Sequence, residues 1–212
     1  MTALCAVMEV KMKIETIPSG AFATNCYILE DQGTVLILDP TGKPQRILDR
    51  LQDRVPAAII LTHGHFDHIG AVDELVRQFH CEVYVHPADQ VLLEDETLNG
   101  MAGMTAHVRT QTTPLMEGTM KLGQIELQIL EAPGHTPGSV LIVIGQDCFC
   151  GDVVFEGSVG RTDLPLGNDS QMRQTLKMVR MLNPQLNLYP GHGAATTLEK
   201  ELNDNPFLRT RR

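Results

Sequence analysis

Short apolar runs alternate with polar turns along the chain, and the period of each run predicts its element. Lys13 to Ile17, Asn25 to Glu30 and Thr34 to Leu38 read as strands, parted by turn signals at Pro18-Ser19-Gly20 and Asp31-Gln32-Gly33. Leu38-Asp39-Pro40 ends this meander. Lys43 to Gln52 carries Ile47, Leu48 and Leu51 at helical spacing, with Pro44 suited to a first turn. Ala57 to Leu61 reads as a buried strand, and Ile69 to Phe79 as a helix through Val72, Leu75, Val76 and Phe79. Glu82 to Val85 is another strand, after which Pro87 opens a short helix through Val91 and Leu92. From Glu94 to Pro114 the pattern weakens into Gly, Thr and Met, consistent with a lid or substrate-lining segment or with disorder.

Two hairpins follow: Gly118 to Leu122 with Ile125 to Leu130, then Ser139 to Ile144 with Cys148 to Cys150. Ser170 to Leu182 is a helix with Met172, Leu176 and Val179 on one face. Leu186 to Tyr189 is the last strand. Thr196 to Leu202 is the last helix, capped by Thr196 or Thr197 with Glu199 early in it. The halves echo each other, with hairpin strands, a helix and a short strand ending in a histidine turn. No linker or sequence repeat divides them. The expectation is an α/β protein of one domain over residues 1–212, two sheets with helices outside, and residues 1–11 as an N-terminal appendage.

At 212 residues, 42% hydrophobic and 20% charged, the chain has the composition of a soluble globular protein able to bury a sizeable core. Its net charge of −9 argues against nucleic-acid and anionic-membrane partners. No apolar run approaches the ~20 residues of a membrane helix. Met1 to Val10 has no basic head and holds Glu9, so no secretory signal is expected. The five cysteines (Cys5, Cys26, Cys81, Cys148 and Cys150) follow no pairing pattern, which predicts reduced thiols in a cytoplasmic protein. Cys148 and Cys150 flank Phe149 in an apolar strand and are expected to pack in the core.

The chemistry concentrates in Thr62-His63-Gly64-His65-Phe66-Asp67-His68, a turn between strand and helix. Three imidazoles and a carboxylate at this density suit zinc, iron or manganese better than calcium or magnesium. His63 and His65 are two apart, so an extended backbone points both the same way, and Asp67 and His68 reach a second position. Three further turns present one ligand-type side chain after an apolar strand: His135 in Gly134-His135-Thr136-Pro137-Gly138, Asp152 after Gly151, and His192 in Pro190-Gly191-His192-Gly193. Together these give seven candidates, as many as two adjacent metal ions need if one carboxylate bridges them. His80, His86 and His107 lack this context and are expected to be non-ligands.

The combined motif resembles the metallo-β-lactamase superfamily over nearly the whole chain, from Asn25-Cys26-Tyr27 to His192. Within it the chain looks closest to glyoxalase II-like hydrolases, particularly a short bacterial type carrying Gly160-Arg161-Thr162-Asp163. The resemblance implies a four-layer αββα sandwich with metals along one edge. It also implies His63, His65 and His135 on the first metal, Asp67, His68 and His192 on the second, and Asp152 bridging. Two divalent ions, zinc first with iron or manganese as alternatives, would lower the pKa of a shared water for attack on a thioester carbon. Asp67 and Asp152 are then the catalytic candidates, and the expected reaction is hydrolysis of a small acyl thioester such as S-lactoylglutathione. Arg161 stands where the family places a cation for glutathione, or it pairs structurally with Asp163. Leu164 stands where a tyrosine is often found, and the chain stops about twenty residues after His192, short of the family's helical C-terminal region; both departures weaken the glutathione expectation. The rival is an iron-dependent persulfide dioxygenase with one iron on His63, His135 and Asp152. A nuclease of this fold is opposed by the acidic balance.

Overall fold

The computed structural model describes residues 12–101 and 103–209, so the expected appendage and Cys5 lie outside the described residues. Two six-stranded sheets form the centre of the molecule. In the first, β1 (Lys13–Ser19), β2 (Thr24–Asp31) and β3 (Thr34–Leu38) run antiparallel, and β4 (Ala58–Ile60), β5 (Glu82–Val85) and β6 (Thr113–Pro114) then add in parallel. In the second, β7 (Gly118–Leu122), β8 (Ile125–Glu131), β9 (Val140–Ile144) and β10 (Asp147–Gly151) form an antiparallel meander. There β11 (Asn187–Pro190) pairs parallel to β10 and carries β12 (Thr196–Thr197) on its edge.

The near-continuous apolar strands are explained by burial on both faces. Tyr27, Leu29, Leu36, Leu38 and Ile60 meet Leu127, Ile129, Ile142 and Phe149 between the sheets. The alternate residues Cys26, Ile28, Ile37 and Ile59 face α1 (Pro44–Leu51) and the helix Val72–Phe79. On the other side Leu141, Cys148 and Cys150 pack under α5 (Asp169–Val179) and α6 (Leu198–Asp204). The layers therefore run helix, sheet, sheet, helix, as the resemblance implied. Cys148 and Cys150 are core thiols, and burial pushes Cys148 up to about 12.

The expected helix Ile69 to Phe79 is two helices, α2 (Phe66–Ile69) and α3 (Val72–Phe79). The Ala71 N–H donates to Pro40 O at 2.9 Å, outside the helix, which interrupts the ladder. Segment 94–114 is anchored rather than irregular throughout. Gly100–Met101 pairs with Met104–Thr105, and the Asp73 carboxylate accepts from the backbone of Arg109 and Thr110. Among the described residues, α4 (Gln90–Glu94), entered through a 3-10 turn at Pro87–Asp89, completes the α-helices, and no helix is long and apolar enough to cross a membrane.

Candidate metal centre

Four strand ends meet on one rim. The chain leaving β4 forms the His63–His65 turn and enters α2, whose first turn carries Asp67 and His68. His135 follows β8, Asp152 follows β10 and His192 follows β11. Since β10 and β11 are parallel, their ligand-bearing ends emerge together, and Gly191 N–H donates to Gly151 O at 2.8 Å. Backbone hydrogen bonds tie the sheets across the rim, among them Val140 N–H to Thr62 O at 2.9 Å and Asn25 N–H to Gly191 O at 2.7 Å.

All seven expected residues converge. His63, His65 and His135 offer ligand atoms within 4.8 Å of one another, and so do Asp67, His68 and His192. Asp152 lies between the two groups. Its Oδ1 is 3.4 Å from His68 Nε2, and its Oδ2 is 3.4 Å from His135 Nε2 and 3.3 Å from His192 Nε2. Three buried atoms here, His63 Nε2, His68 Nε2 and Asp152 Oδ1, have no hydrogen-bond partner. Buried polar atoms are otherwise nearly always paired, and in this donor set of imidazole and carboxylate the missing partner fits divalent cations.

The outward ring nitrogens are each held by an acceptor, which fixes the tautomers. His135 Nδ1–H donates to Arg161 O at 2.8 Å and His192 Nδ1–H to Phe22 O at 3.0 Å. His68 Nδ1 faces Asp39 Oδ2 at 3.0 Å. Thr62 Oγ1 gives its proton to Asp39 Oδ2 at 2.6 Å, so it accepts from His63 Nδ1 at 3.1 Å. Every Nε2 in these four rings is thereby left facing inward. Asp39, His63 and His68 also come within ligand reach of one another. Asp39 is nonetheless an orienting group, because its oxygens accept from Thr62 N, Thr62 Oγ1 and His68 Nδ1.

The surroundings divide His63, His65, His68 and His192 into two neutral and two cationic rings. Burial pushes the His63 imidazole well down and the His65 imidazole down to about 3, with neighbouring imidazoles adding to the effect. Burial alone would raise Asp67, but His68, His192 and the Thr24 hydroxyl outweigh it and hold the carboxyl at about 2. Burial likewise opposes the protonated forms of His68 and His192, yet the surrounding carboxylates raise both, His192 to about 10.

Two glycines permit this density. A Cβ on Gly191 would meet Asp152 Oδ1 at 2.2 Å and His68 Cε1 at 2.7 Å, and one on Gly160 would meet Asp152 O at 1.7 Å.

Beside the cage lies a cleft of about 460 Å³, walled by Phe22, Phe66, Leu98, Met101, Phe155 and Leu164 and touching His65, Asp67, His135, Asp152 and His192. The 94–114 segment therefore supplies lining, as one of its two expected readings had it. Arg161 sits on the rim, mostly exposed, with a two-pronged hydrogen bond to Asp163: Nε to Oδ1 at 2.7 Å and Nη2 to Oδ2 at 2.8 Å. The ion pair with Asp163, one of the two readings expected for Arg161, is present, and the residue also lines the cleft. His86 faces Glu131 at 3.2 Å, His107 faces Glu96 at 2.7 Å and His80 ends α3, all three outside the cage.

Three supporting residues carry no sequence signal of their role. Asp39 reads as a turn marker. Asp89, fully buried, accepts from Gly64 N–H at 2.8 Å, Thr136 Oγ1–H at 2.7 Å and Gly138 N–H at 2.6 Å, joining the His63–His65 turn to the His135 turn. Asn99 accepts from Phe66 N–H at 2.7 Å and donates to Gly64 O at 2.8 Å, binding the cleft-lining segment to the start of α2.

Comparison with known proteins agrees with this geometry. The sequence profile of the metallo-beta-lactamase superfamily matches residues 19–192. The hydroxyacylglutathione hydrolase GloC of Haemophilus influenzae is 32% identical over 211 residues, covering 94% of this chain and 100% of that protein. The solved structure of BLEG-1 B3 metallo-beta-lactamase superposes with a TM-score of 0.87 at 34% identity, covering 93% of this chain and all of that one. That of TTHA1623 in a di-iron-bound form superposes with a TM-score of 0.81 at 36% identity, covering 92% and 100%. With its fold, its seven converging ligand groups and this match along most of its length, the chain belongs to the metallo-β-lactamase superfamily.

Proposed function

We propose that this metal-dependent hydrolase cleaves small acyl thioesters, with S-lactoylglutathione the first substrate to test. The observation that carries the reading is the position of Asp152, with one oxygen toward His68 and the other toward His135 and His192. In this reading His63, His65 and His135 hold one cation, Asp67, His68 and His192 hold the other, and Asp152 serves both. The imidazole and carboxylate donors suit zinc, and iron or manganese as well. The di-iron form named for TTHA1623 makes iron the first alternative to zinc. Two bound cations would supply a water of lowered pKa and positive charge opposite the developing oxyanion.

The chain's own groups do the rest. Asp67, whose Oδ2 is held by Thr24 Oγ1 at 2.8 Å, lines the cleft and stays ionised, so it accepts a hydrogen bond from the attacking water. The water gives up one proton as its oxygen bonds to the acyl carbon; the carbon–sulfur bond then breaks, giving a carboxylic acid and a thiolate, which takes up the released proton to become the thiol. A thiolate leaves readily, so no proton donor is required at that step. The name of the Haemophilus influenzae relative supports a thioester as the bond cleaved.

The test is loss of thioester absorbance with zinc-loaded and iron-loaded protein, metal being quantified alongside. Activity rising with metal content to two ions per chain is expected, with Asp152→Ala losing metal and rate together. Full activity in Asp152→Ala would remove the bridging role. Oxygen uptake on a persulfide, without thioester cleavage, would instead favour oxidation at a single iron on His63, His135 and Asp152.

A further inference from the structure

The cleft wall bears on which part of a thioester the protein grips, an inference that rests on the thioester reading. Beyond the groups of the metal cage, the wall consists chiefly of Phe22, Phe66, Leu98, Met101, Phe155 and Leu164. Asn99 and Ser158 line it too; the Asn99 amide is fully engaged with Phe66 N–H, Gly64 O and Leu92 O, and Ser158 adds a single uncharged hydroxyl. Among the described lining residues Arg161 is the one permanent cation, and Asp163 holds it by two hydrogen bonds. Asp163 occupies the Nε/Nη2 edge of that guanidinium, so a substrate carboxylate finds only its Nη1 side, already half neutralised and largely in water. At so exposed a position an added ion pair gains little. The net charge of −9 adds a general repulsion of anions.

We infer that the enzyme grips its substrate by apolar contact, so that its preferred class is neutral thioesters with apolar acyl chains and uncharged thiol arms. The volume of about 460 Å³ admits an acyl chain of several carbons within the size range of small-ligand pockets. Each methylene drawn from water onto this wall raises kcat/KM about fourfold, equivalent to about 0.8 kcal/mol, until the cleft is filled.

The test uses the full-length, metal-loaded protein with acetyl and hexanoyl thioesters of N-acetylcysteamine and of glutathione. Hexanoyl is expected to exceed acetyl at least tenfold, and N-acetylcysteamine to match or exceed glutathione at equal acyl length. A flat acyl series, or a glutathione ester favoured at equal acyl length, overturns the inference while leaving thioester hydrolysis in place. Cleavage of S-lactoylglutathione but of none of the four overturns the inference alone, whereas absence of cleavage of all five by protein with its full metal complement overturns the thioester reading itself, and this inference with it. Leu164→Lys, at a half-buried wall position, places a cation in the cleft and is expected to shift the ratio at least threefold toward glutathione. An unmoved ratio counts against the wall as selector. Calorimetry with the non-hydrolysable thioether S-hexyl-N-acetylcysteamine gives an independent readout, with a negative heat-capacity change expected and none in the contrary case.

Discussion

Asp39 Oδ2 lies 3.0 Å from His68 Nδ1 and accepts the Thr62 hydroxyl proton at 2.6 Å, so one buried carboxylate orients His68 directly and His63 through Thr62. Asp39 does this at φ 47°, a left-handed conformation that asparagine tolerates equally well. Asp39→Asn therefore isolates the hydrogen-bonding role from the backbone. Either orientation of the amide sets its NH2 against a donor, Thr62 N–H on one side or the Thr62 hydroxyl and His68 Nδ1–H on the other. Metal affinity is expected to fall roughly 10- to 100-fold, measured by competition with a chromophoric chelator. An unchanged affinity would count against the orienting role.

Asp89 joins two ligand turns and accepts three hydrogen bonds, from Gly64, Thr136 and Gly138. Asp89→Ala leaves these donors buried without an acceptor and should cost about 3 kcal/mol or more. Asp89→Asn retains one acceptor and should cost less. Urea unfolding of the metal-free proteins measures both, as a fall in midpoint at constant slope.

Gly191 has no left-handed backbone requirement, so alanine there acts through contact alone. The new methyl group would overlap Asp152 Oδ1 and crowd His68. Gly191→Ala is expected to cost about 1–3 kcal/mol from overpacking and to lower bound metal, read by elemental analysis after dialysis. Full metal content would mean that the carboxylate has room to move aside.

Proton release follows from the raised pKa values of the metal-free cage. His192 goes from its ordinary 6.5 to about 10, and His68 is raised as well, against their burial, by the nearby carboxylates. A raised folded-state value means that the His192 proton stabilises the metal-free fold fully below 6.5, and that this is lost as pH rises through about 10. A cation must expel these protons, so metal affinity should rise with pH across the same window. Titration calorimetry in two buffers of different ionisation enthalpy should find at least one proton released per chain. Release near zero would mean that the rings are already neutral.

The sandwich was legible because its strands are buried on both faces, which leaves continuous apolar runs such as Tyr27-Ile28-Leu29 and Leu36-Ile37-Leu38. The ligand turns were legible because His63, His65, Asp67 and His68 are close in sequence, and because His135, Asp152 and His192 each follow a strand. The division of α2 from α3 was not, since it depends on Pro40 O reaching the Ala71 N–H across the fold. Asp39 and Asp89 were missed for a related reason. Their donors lie 23 to 49 residues away, and an isolated aspartate in a turn carries no local mark of such partners. Arg161 read two ways because a basic residue two positions from an aspartate in a loop has the same local pattern whether it pairs or binds, and the structure shows the pair.

The cage closes through a long-range clasp. Asn25 and Tyr27 hydrogen-bond to Pro190, and His192 docks beside Thr24 at the start of the same strand. The Asp67, His68 and His192 group is therefore assembled only when the chain beyond β11 returns to the first sheet, so that half of the cage, unlike the local His63–His65 turn, reports on closure of the whole fold.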